Sequence, residues 1–256
     1  MTKREYADEI ARVMNAEVRE VEKNGVICTG IVIRTNRNVS PCIYIDEAYD
    51  NEKTIEEAID MVNEIATEAK NINVNIDAYS TYEKAKDLIK VRLYNKKNAG
   101  DVYETGTDYG FKDLALIPYI EGIDISNDKG SIKITEELLD LWGVDKNEVI
   151  TQGISNLKYR IMSLAEMIGL PEGMFPMMVV TNTEMYYGAS SIIPATKELT
   201  EMFPDGYVVL PSSIHEVIVV PKDVNTNING MIGMVKEINA TAVAPKDKLS
   251  DNVYEF

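Results

Sequence analysis

The residues best suited to chemistry stand together in Pro211-Ser212-Ser213-Ile214-His215-Glu216, which holds the one histidine of the chain. Ser212 or Ser213 as nucleophile, His215 as general base and Glu216 as orienting carboxylate would make a hydrolase-like set. On an extended strand, however, Ser213 and His215 share a face about 7 Å apart, and Glu216 points to the opposite face. We therefore expect a strand corner whose serine hydroxyls satisfy turn backbone groups, and we keep the four residues as alternative catalytic candidates.

Three further candidates for a binding site precede this stretch. Asn182 is a turn former, Gly188 permits close approach of the backbone, and Ser190 adds a hydroxyl group. Together with the serines and the histidine of the corner, these residues would line a pocket. A small-ligand-binding protein or a hydrolase-like enzyme is the function that such a pocket would support.

The sequence predicts neither a metal site nor a cofactor. One histidine and two separated cysteines do not make a typical zinc site without carboxylates. The acidic stretch 46–52 lacks the alternating oxygen ligands and the glycine of a calcium loop, and we interpret it as a solvated loop. Residues 106–110 contain two glycines but no Lys-Ser/Thr pair, so they do not form a phosphate-binding loop.

The elements that must position the candidate residues follow from the stretch 175–221. Residues 177–181 form an apolar run typical of a buried strand. A helix is expected from Ile192, with Pro194 in its first turn. Residues 207–210 and 217–220 are rich in β-branched side chains and predict two strands joined by the corner.

The remaining chain predicts further helices and paired strands. Thr2 and Glu5 make a capping box for a first helix, whose apolar stripe continues through Val18 and Val21 until Asn24-Gly25 ends it. Residues 113–125 predict a strand interrupted by Pro118. We predict an α+β fold of mixed, mainly antiparallel sheets packed with helices. Its two subdomains are expected at residues 1–98 and 101–256, the second containing the corner and a docked segment at 239–256.

Composition narrows the class of function. At 45% apolar residues among 256, the chain can bury a sizeable core. A formal charge of −16 opposes binding to nucleic acid and suits a basic protein partner. The sequence lacks an apolar run of membrane-spanning length. Cys28 and Cys42 are expected to be reduced thiols in the cytoplasm; because both lie on predicted strands, a disulfide between them is the alternative.

Several stretches carry a resemblance to a known family. They are NGVICTGIVIR, KDLALIPYI, MVVTN with YGAS, LPSSIHEVIVVP and LSDNVY. On these stretches the chain resembles a bacterial family catalogued as domain of unknown function 5688, and the resemblance extends almost end to end. LPSSIHEV and LSDNVY are its most specific parts. The resemblance implies a soluble bacterial protein, of a kind often found on mobile elements, and it implies no catalytic residue.

The function that we rank first is an accessory protein that binds another protein, as a regulator or inhibitor. The acidic charge and the lack of a catalytic constellation in the sequence motivate it. An exposed methionine-rich patch, drawn from Met174, Met177, Met178, Met231 and Met234, would favour a protein partner. Tyrosines suit either an interface or the edge of the core, and they include Tyr103, Tyr109, Tyr119, Tyr186 and Tyr187.

Overall fold

The structure is a computed structural model that describes residues 1–35, 40–69, 74–125, 128–171, 173–224 and 226–256. The chain divides into two compact units. The smaller unit comprises Met1–Tyr79 and Glu121–Ser131, and the larger unit comprises Ser80–Ile120 and Ile132–Phe256. Within the described ranges, every helix is too short or too polar to cross a lipid bilayer.

The smaller unit contains a three-stranded antiparallel sheet whose strands pair in chain order. Its first elements in chain order are α1 (Lys3–Met14), β1 (Glu17–Lys23), β2 (Val26–Val32), β3 (Cys42–Tyr44), α2 (Asp46–Asp50) and α3 (Ile55–Ala69). One face of the sheet, with Ile31 and Ile43, packs against Ile10 of α1 and Val62 of α3 to form the core of this unit.

Helix α1 has a defined signal at each end. Thr2 Oγ1 accepts a hydrogen bond from Glu5 N at 3.2 Å, and the Glu5 carboxylate accepts one from Thr2 N at 2.7 Å. The helix ends at Met14 because Asn15 turns into the left-handed region, with φ of 50°. The capping box that the sequence predicts is therefore present, whereas the predicted length of the helix is wrong.

The hairpin that follows explains this error. Val18 and Val21 lie on β1, which pairs with β2 along its whole length. Asn24 and Gly25 have φ values of 50° and 76° and form the tight turn between the two strands. An Asn-Gly pair with positive φ at both residues is the preferred turn of a two-residue hairpin. The dipeptide therefore reverses a strand here and does not end a helix.

The two cysteines lie on the face of this sheet opposite its core. Cys42 is the register partner of Val32, which is four residues from Cys28 on the same strand. This spacing separates the two cysteines by about 13 Å along the strand, far beyond the span of a disulfide. Cys28 and Cys42 accordingly form no disulfide with each other. Gly30 makes room for Cys42, because a Cβ at that position would lie 2.3 Å from the Cys42 Sγ.

The acidic stretch 46–52 begins as helix α2 and is not the loop that we expected. Asp46 accepts a hydrogen bond from Thr29 N at 2.9 Å and forms an ion pair with Lys3 at 3.0 Å. Tertiary contacts of this kind decide the conformation of a segment whose sequence alone indicates only solvent exposure.

The larger unit contains a five-stranded sheet and part of a four-stranded sheet, each with helices beside it; residues 121–125 and 128–131 of the four-stranded sheet belong to the smaller unit. Its elements are α4 (Tyr82–Ala85), β4 (Ile89–Asn95), β5 (Thr107–Asp108), β6 (Leu114–Ile125), β7 (Asp128–Lys133), α5 (Glu136–Trp142), α6 (Lys146–Ser155), β8 (Arg160–Ser163), α7 (Leu164–Met167), β9 (Met178–Thr181), α8 (Ile192–Met202), β10 (Tyr207–Leu210), β11 (Val217–Pro221), α9 (Ile228–Thr241) and β12 (Tyr254–Glu255).

The expected boundary near Gly100 lies inside this larger unit. Strands β4 and β6, on either side of Gly100 in sequence, pair in antiparallel register from Ile89 with Ile120 to Asn95 with Leu114. Residues 96–113 are therefore a connection within one sheet. Pro118 lies within β6, opposite Val91, and does not interrupt the strand.

The five-stranded sheet has the order β12-β10-β11-β9-β8 with antiparallel neighbours. Val209 and Val219 face the main core, which includes Leu199 of α8. Val208 faces a second cluster that includes Val235 of α9. Burial on both faces explains why these strands are continuous apolar runs in the sequence. Antiparallel sheets packed with helices confirm the predicted α+β class.

Candidate functional site

The connection between β10 and β11, residues 211–216, forms a corner that the 245–256 segment crosses. Ser213 and Lys248 make an isolated antiparallel bridge at its centre. Backbone hydrogen bonds of 2.9 Å extend the pairing on one side, from Leu249 N to Ser212 O and from Ser250 N to Pro211 O. The corner is thus fixed by residues more than thirty positions away in the sequence.

His215 uses both ring nitrogens for contacts within the protein. Nδ1 accepts a hydrogen bond from the Tyr187 N–H at 3.2 Å, and Nε2 lies 3.5 Å from Asp247 Oδ1. Because Nδ1 accepts, the proton of the neutral ring is on Nε2 and faces Asp247. A general base needs a nitrogen lone pair for the proton of the nucleophile. In His215 a backbone amide engages that lone pair.

The serines and Glu216 do not complete a catalytic triad around this ring. Ser213 is buried, and its Oγ accepts a hydrogen bond from His215 N at 3.0 Å, which caps the turn. Ser212 contributes its carbonyl to the corner. Burial raises the pKa of the Glu216 carboxyl, against the lowering effect of Ser213 and His215. The carboxylate that faces the imidazole belongs to Asp247, which sequence reasoning missed.

Gly188 is a point of close approach, but the approaching group belongs to the chain itself. The His215 carbonyl accepts hydrogen bonds from Gly188 N at 2.9 Å and from Thr181 Oγ1 at 2.8 Å. A Cβ on Gly188 would lie 2.3 Å from Thr181 Oγ1 and 2.7 Å from His215 O. The missing side chain therefore admits the backbone of the corner.

Asn182 organises the loop beside the corner, whereas Ser190 bonds to a different sheet. Asn182 Oδ1 accepts hydrogen bonds from Glu184 N at 3.1 Å and Tyr186 N at 3.2 Å, and its Nδ2 donates to Tyr186 O at 2.8 Å. Ser190 is buried and donates to Val91 O on β4 at 2.8 Å. Asn182 therefore shapes the loop that follows it, and Ser190 attaches the chain to the neighbouring sheet.

Residues 182–188 form a loop whose backbone is strained at two positions. Met185 and Tyr187 have φ values of 54° and 51°, a region that costs a residue with a side chain roughly 1–2 kcal/mol. The hydrogen bonds of Asn182 and His215 hold both conformations in place. Tyr186 is 59% exposed and Met185 is 42% exposed. The loop thus presents two large side chains on a fixed backbone.

A row of rings connects this loop to β4 and β6. Tyr186 stacks on the His215 imidazole with centroids 5.0 Å apart. The ring of Tyr187 lies next to His215 and 3.9 Å from the guanidinium of Arg92. The ring of Tyr119 lies 4.5 Å from the same guanidinium. The corner is therefore linked, through Tyr187, to the buried Arg92, which contacts both tyrosine rings.

Sequence reasoning did not select Arg92, although β4 carries a signal for it. Arg92 and Tyr94 alternate with Val91 and Leu93, and the two apolar residues enter the core. Tyr94 stacks on Tyr119 at 6.2 Å. One face of β4 is apolar and the other carries arginine and tyrosine. Such a pattern indicates that both faces are packed, and it would have identified Arg92.

Comparison with known proteins identifies the family but no activity. The model of a family of unknown function (DUF5688) matches residues 2–256. The chain belongs to this family. No curated protein and no solved structure matches the chain. The two most specific parts of the resemblance, LPSSIHEV and LSDNVY, meet in space at the corner, where Leu249 and Ser250 pair with Ser212 and Pro211.

Proposed function

We propose that this protein acts by binding another protein, and that the 182–188 loop is part of the binding surface. The observation that carries the proposal is the loop itself, in which Met185 and Tyr186 are exposed on a backbone that Asn182 and His215 hold in one strained conformation. Strained backbone persists where the surrounding structure maintains it, and it clusters at functional sites. A rigid tyrosine provides a large contact area at a low cost in conformational entropy.

The alternative, a small-ligand-binding protein or a hydrolase, needs the His215 ring to face a substrate. Tyr187 N engages Nδ1, and Nε2 faces Asp247. Ser213 Oγ accepts from the His215 backbone and not from its ring. These contacts are the ones expected of a residue that supports a binding loop, so protein binding ranks first.

Two of the five methionines singled out in the sequence are exposed. Met174 is 52% exposed, and Met234 on α9 is also exposed, whereas Met177, Met178 and Met231 are partly buried. Methionine side chains adapt to irregular partner surfaces. The formal charge of −16 favours a basic partner.

In this proposal the protein is a bacterial accessory protein, a regulator or inhibitor of the kind carried by mobile elements, and it acts in the cytoplasm. The separation of Cys28 and Cys42 fits that compartment, since the two thiols do not cross-link within the chain. The acidic charge weighs against nucleic acid as the partner.

Co-purification from the host, quantified by mass spectrometry, tests the proposal. We compare the wild-type chain with a Met185→Asp/Tyr186→Ala variant, in which aspartate tolerates the left-handed backbone. Proteins enriched by the wild type should be lost with the variant, and purified partners should bind it at least about tenfold more weakly.

Leu141→Asp is the matched control, because Leu141 is 70% exposed on α5, away from the loop in sequence. This variant should retain every partner of the wild type. Equal enrichment by all three chains would show that the 182–188 loop is not the binding surface. Failure of the wild type to bind any enriched protein after purification would contradict the proposed function.

A further inference from the structure

We propose that the exposed ring of Tyr186 binds an arginine side chain of the partner, with Glu184 and Asp247 providing the opposite charge. This inference rests on the proposed protein-binding function and names the chemistry of the partner at that site. The arrangement that carries it is an exposed aromatic ring that stacks on His215, with one carboxylate in the same loop and another in contact with the His215 ring.

The ring of Tyr186 is held in place from within the protein. One face stacks on the His215 imidazole, with an angle of 23° between the ring planes, and Tyr187 makes an edge contact at 4.5 Å. The backbone on both sides is fixed, because Tyr186 N and O both bind the Asn182 side chain. More than half of Tyr186 remains exposed. An exposed aromatic face attracts cations, and arginine stacks on it better than lysine does.

Two carboxylates provide the charge for such a cation. Glu184 is exposed in the same loop and contacts the Thr183 hydroxyl at 3.4 Å. Asp247 lies in the 245–256 segment that crosses the corner, 3.5 Å from His215 Nε2. Because Lys246 and Lys248 flank Asp247 in the sequence, we expect Glu184 to contribute more to the binding of a cation.

The protein already uses the same chemistry on the buried side of the loop. The guanidinium of Arg92 lies 3.9 Å from the ring of Tyr187, the residue next to Tyr186. Tyr119 closes the other side of that guanidinium at 4.5 Å. Tyr186 is the solvent-facing neighbour of this arrangement, and a partner arginine would occupy its open face.

Peptide titrations of the isotope-labelled full chain, followed by NMR, test the inference. The probes are acetylated and amidated peptides of four Gly-Arg repeats, the matching Gly-Lys peptide and the neutral Gly-citrulline peptide. We expect saturable shifts at Glu184, Tyr186 and His215 with the arginine peptide. Lysine should bind more weakly, by no more than the roughly two- to fivefold that a whole exposed cation–π contact contributes, and citrulline should not bind.

Variants separate the ring from the charge. Tyr186→Ala should make the arginine and lysine peptides bind equally, whereas Tyr186→Phe should keep the preference for arginine. Glu184→Gln should weaken both charged peptides by a similar factor. Tyr159→Ala is the matched control and should change nothing, because Tyr159 is an exposed tyrosine whose hydroxyl binds a different carboxylate, that of Glu198.

The outcomes distinguish this inference from the proposed function. Equal binding of arginine and lysine peptides to the wild type, or an arginine preference that survives Tyr186→Ala, would overturn the inference. If the Met185→Asp/Tyr186→Ala variant nevertheless loses its protein partners, the proposed function stands without it. If the partners are also unaffected, the 182–188 loop is not the binding surface, and protein binding by the chain then rests on the wild-type measurement alone. Peptide binding at Tyr186 together with loss of the same partners in the variant supports both.

Discussion

The 182–188 loop and the 245–256 segment flank the same corner but use their aromatic residues in opposite ways. The loop exposes Tyr186 and holds Met185 and Tyr187 in left-handed conformations. The 245–256 segment, all of which the structure describes, has no residue with positive φ and directs Tyr254 inward. The loop has a strained backbone and exposed side chains, whereas polar groups of the 245–256 segment form hydrogen bonds within the protein.

The contacts of the 245–256 segment explain the difference. The Tyr254 hydroxyl donates to the Asp113 carboxylate, which also accepts from Ser250 Oγ at 2.8 Å. Asn95 Nδ2 donates to Leu249 O at 3.0 Å. Burial, together with the hydrogen bond to Asp113, raises the pKa of Tyr254. Partly buried polar groups that satisfy one another fix a segment in place, whereas exposed side chains on a strained backbone remain available to a partner.

The largest effect is expected at the end of the loop, where Gly188 packs against the corner. Gly188→Ala would bring a Cβ against Thr181 Oγ1 and His215 O, at 2.3 Å and 2.7 Å. We expect the free energy of unfolding to fall by about 3 kcal/mol in urea titrations. Gly233→Ala is the control, since Gly233 has open space around it on α9, and alanine there should stabilise by up to about 1 kcal/mol. A Gly188→Ala chain as stable as the wild type would mean that the corner is loose.

The next largest effect tests whether the hydrogen bonds of the 245–256 segment stabilise the fold. Tyr254→Phe removes the hydroxyl that binds Asp113, so we expect a loss of about 2 kcal/mol in the free energy of unfolding. Tyr159→Phe removes a hydroxyl that binds an exposed carboxylate, that of Glu198, and should cost less than about 0.5 kcal/mol. Both losses are measured by urea unfolding. Similar values would mean that the Tyr254 hydroxyl contributes no more to stability than the Tyr159 hydroxyl does.

A smaller loss of stability is expected on substitution of His215, which contacts both the loop and the 245–256 segment. His215→Ala leaves Tyr187 N without its acceptor and Asp247 without its neighbour, so stability should fall by about 1–2 kcal/mol. His215→Asn retains an acceptor near the position of Nδ1 and should recover part of this loss. A melting temperature unchanged in His215→Ala, accompanied by the loss of an enzymatic activity, would favour the hydrolase alternative.

The smallest effect is a dependence on pH at Glu216. Burial raises the pKa of this carboxyl above its ordinary value of 4.5, so the folded chain binds the proton more tightly than the unfolded chain does. The stability contributed by the protonated form is therefore present below about pH 4.5 and is lost as the pH rises through the raised pKa.

Glu216→Gln stays neutral at every pH and removes this dependence. We expect the variant to be more stable than the wild type at pH 7, by less than about 1 kcal/mol, and equally stable near pH 4. Urea unfolding at the two pH values measures the difference. A variant less stable than the wild type at pH 7 would show that the ionised carboxylate is stabilised at the corner.

Local patterns in the sequence identified many elements correctly. The capping box at Thr2 and Glu5 starts α1, and the apolar run before Asn182 forms β9. These signals are local, because they depend on neighbouring side chains and on the backbone groups that those side chains satisfy. The Asn24-Gly25 pair was misinterpreted because the same dipeptide ends a helix or turns a hairpin, and the partner strand decides between the two.

The sequence predicted where the candidate site lies in the chain, but it did not predict which side chains contact one another there. The sequence identified the corner with His215, and it identified Asn182 and Gly188 as turn and close-approach residues. Asp247 and Arg92 were missed because each reaches the site from a distant part of the sequence. Whether an imidazole acts as a base depends on the groups that face its two nitrogens, and those groups come from other elements.

By itself, the sequence determined the α+β class, the strands of the buried sheet and a family resemblance, since side-chain periodicity and turn chemistry act over a few residues. Only the tertiary structure decided that residues 96–113 connect two strands of one sheet, that Cys28 and Cys42 are apart, and that Tyr186 is exposed beside an internally satisfied His215. The physical reason is that register, burial and hydrogen-bond partners are properties of pairs of segments, which no single segment specifies.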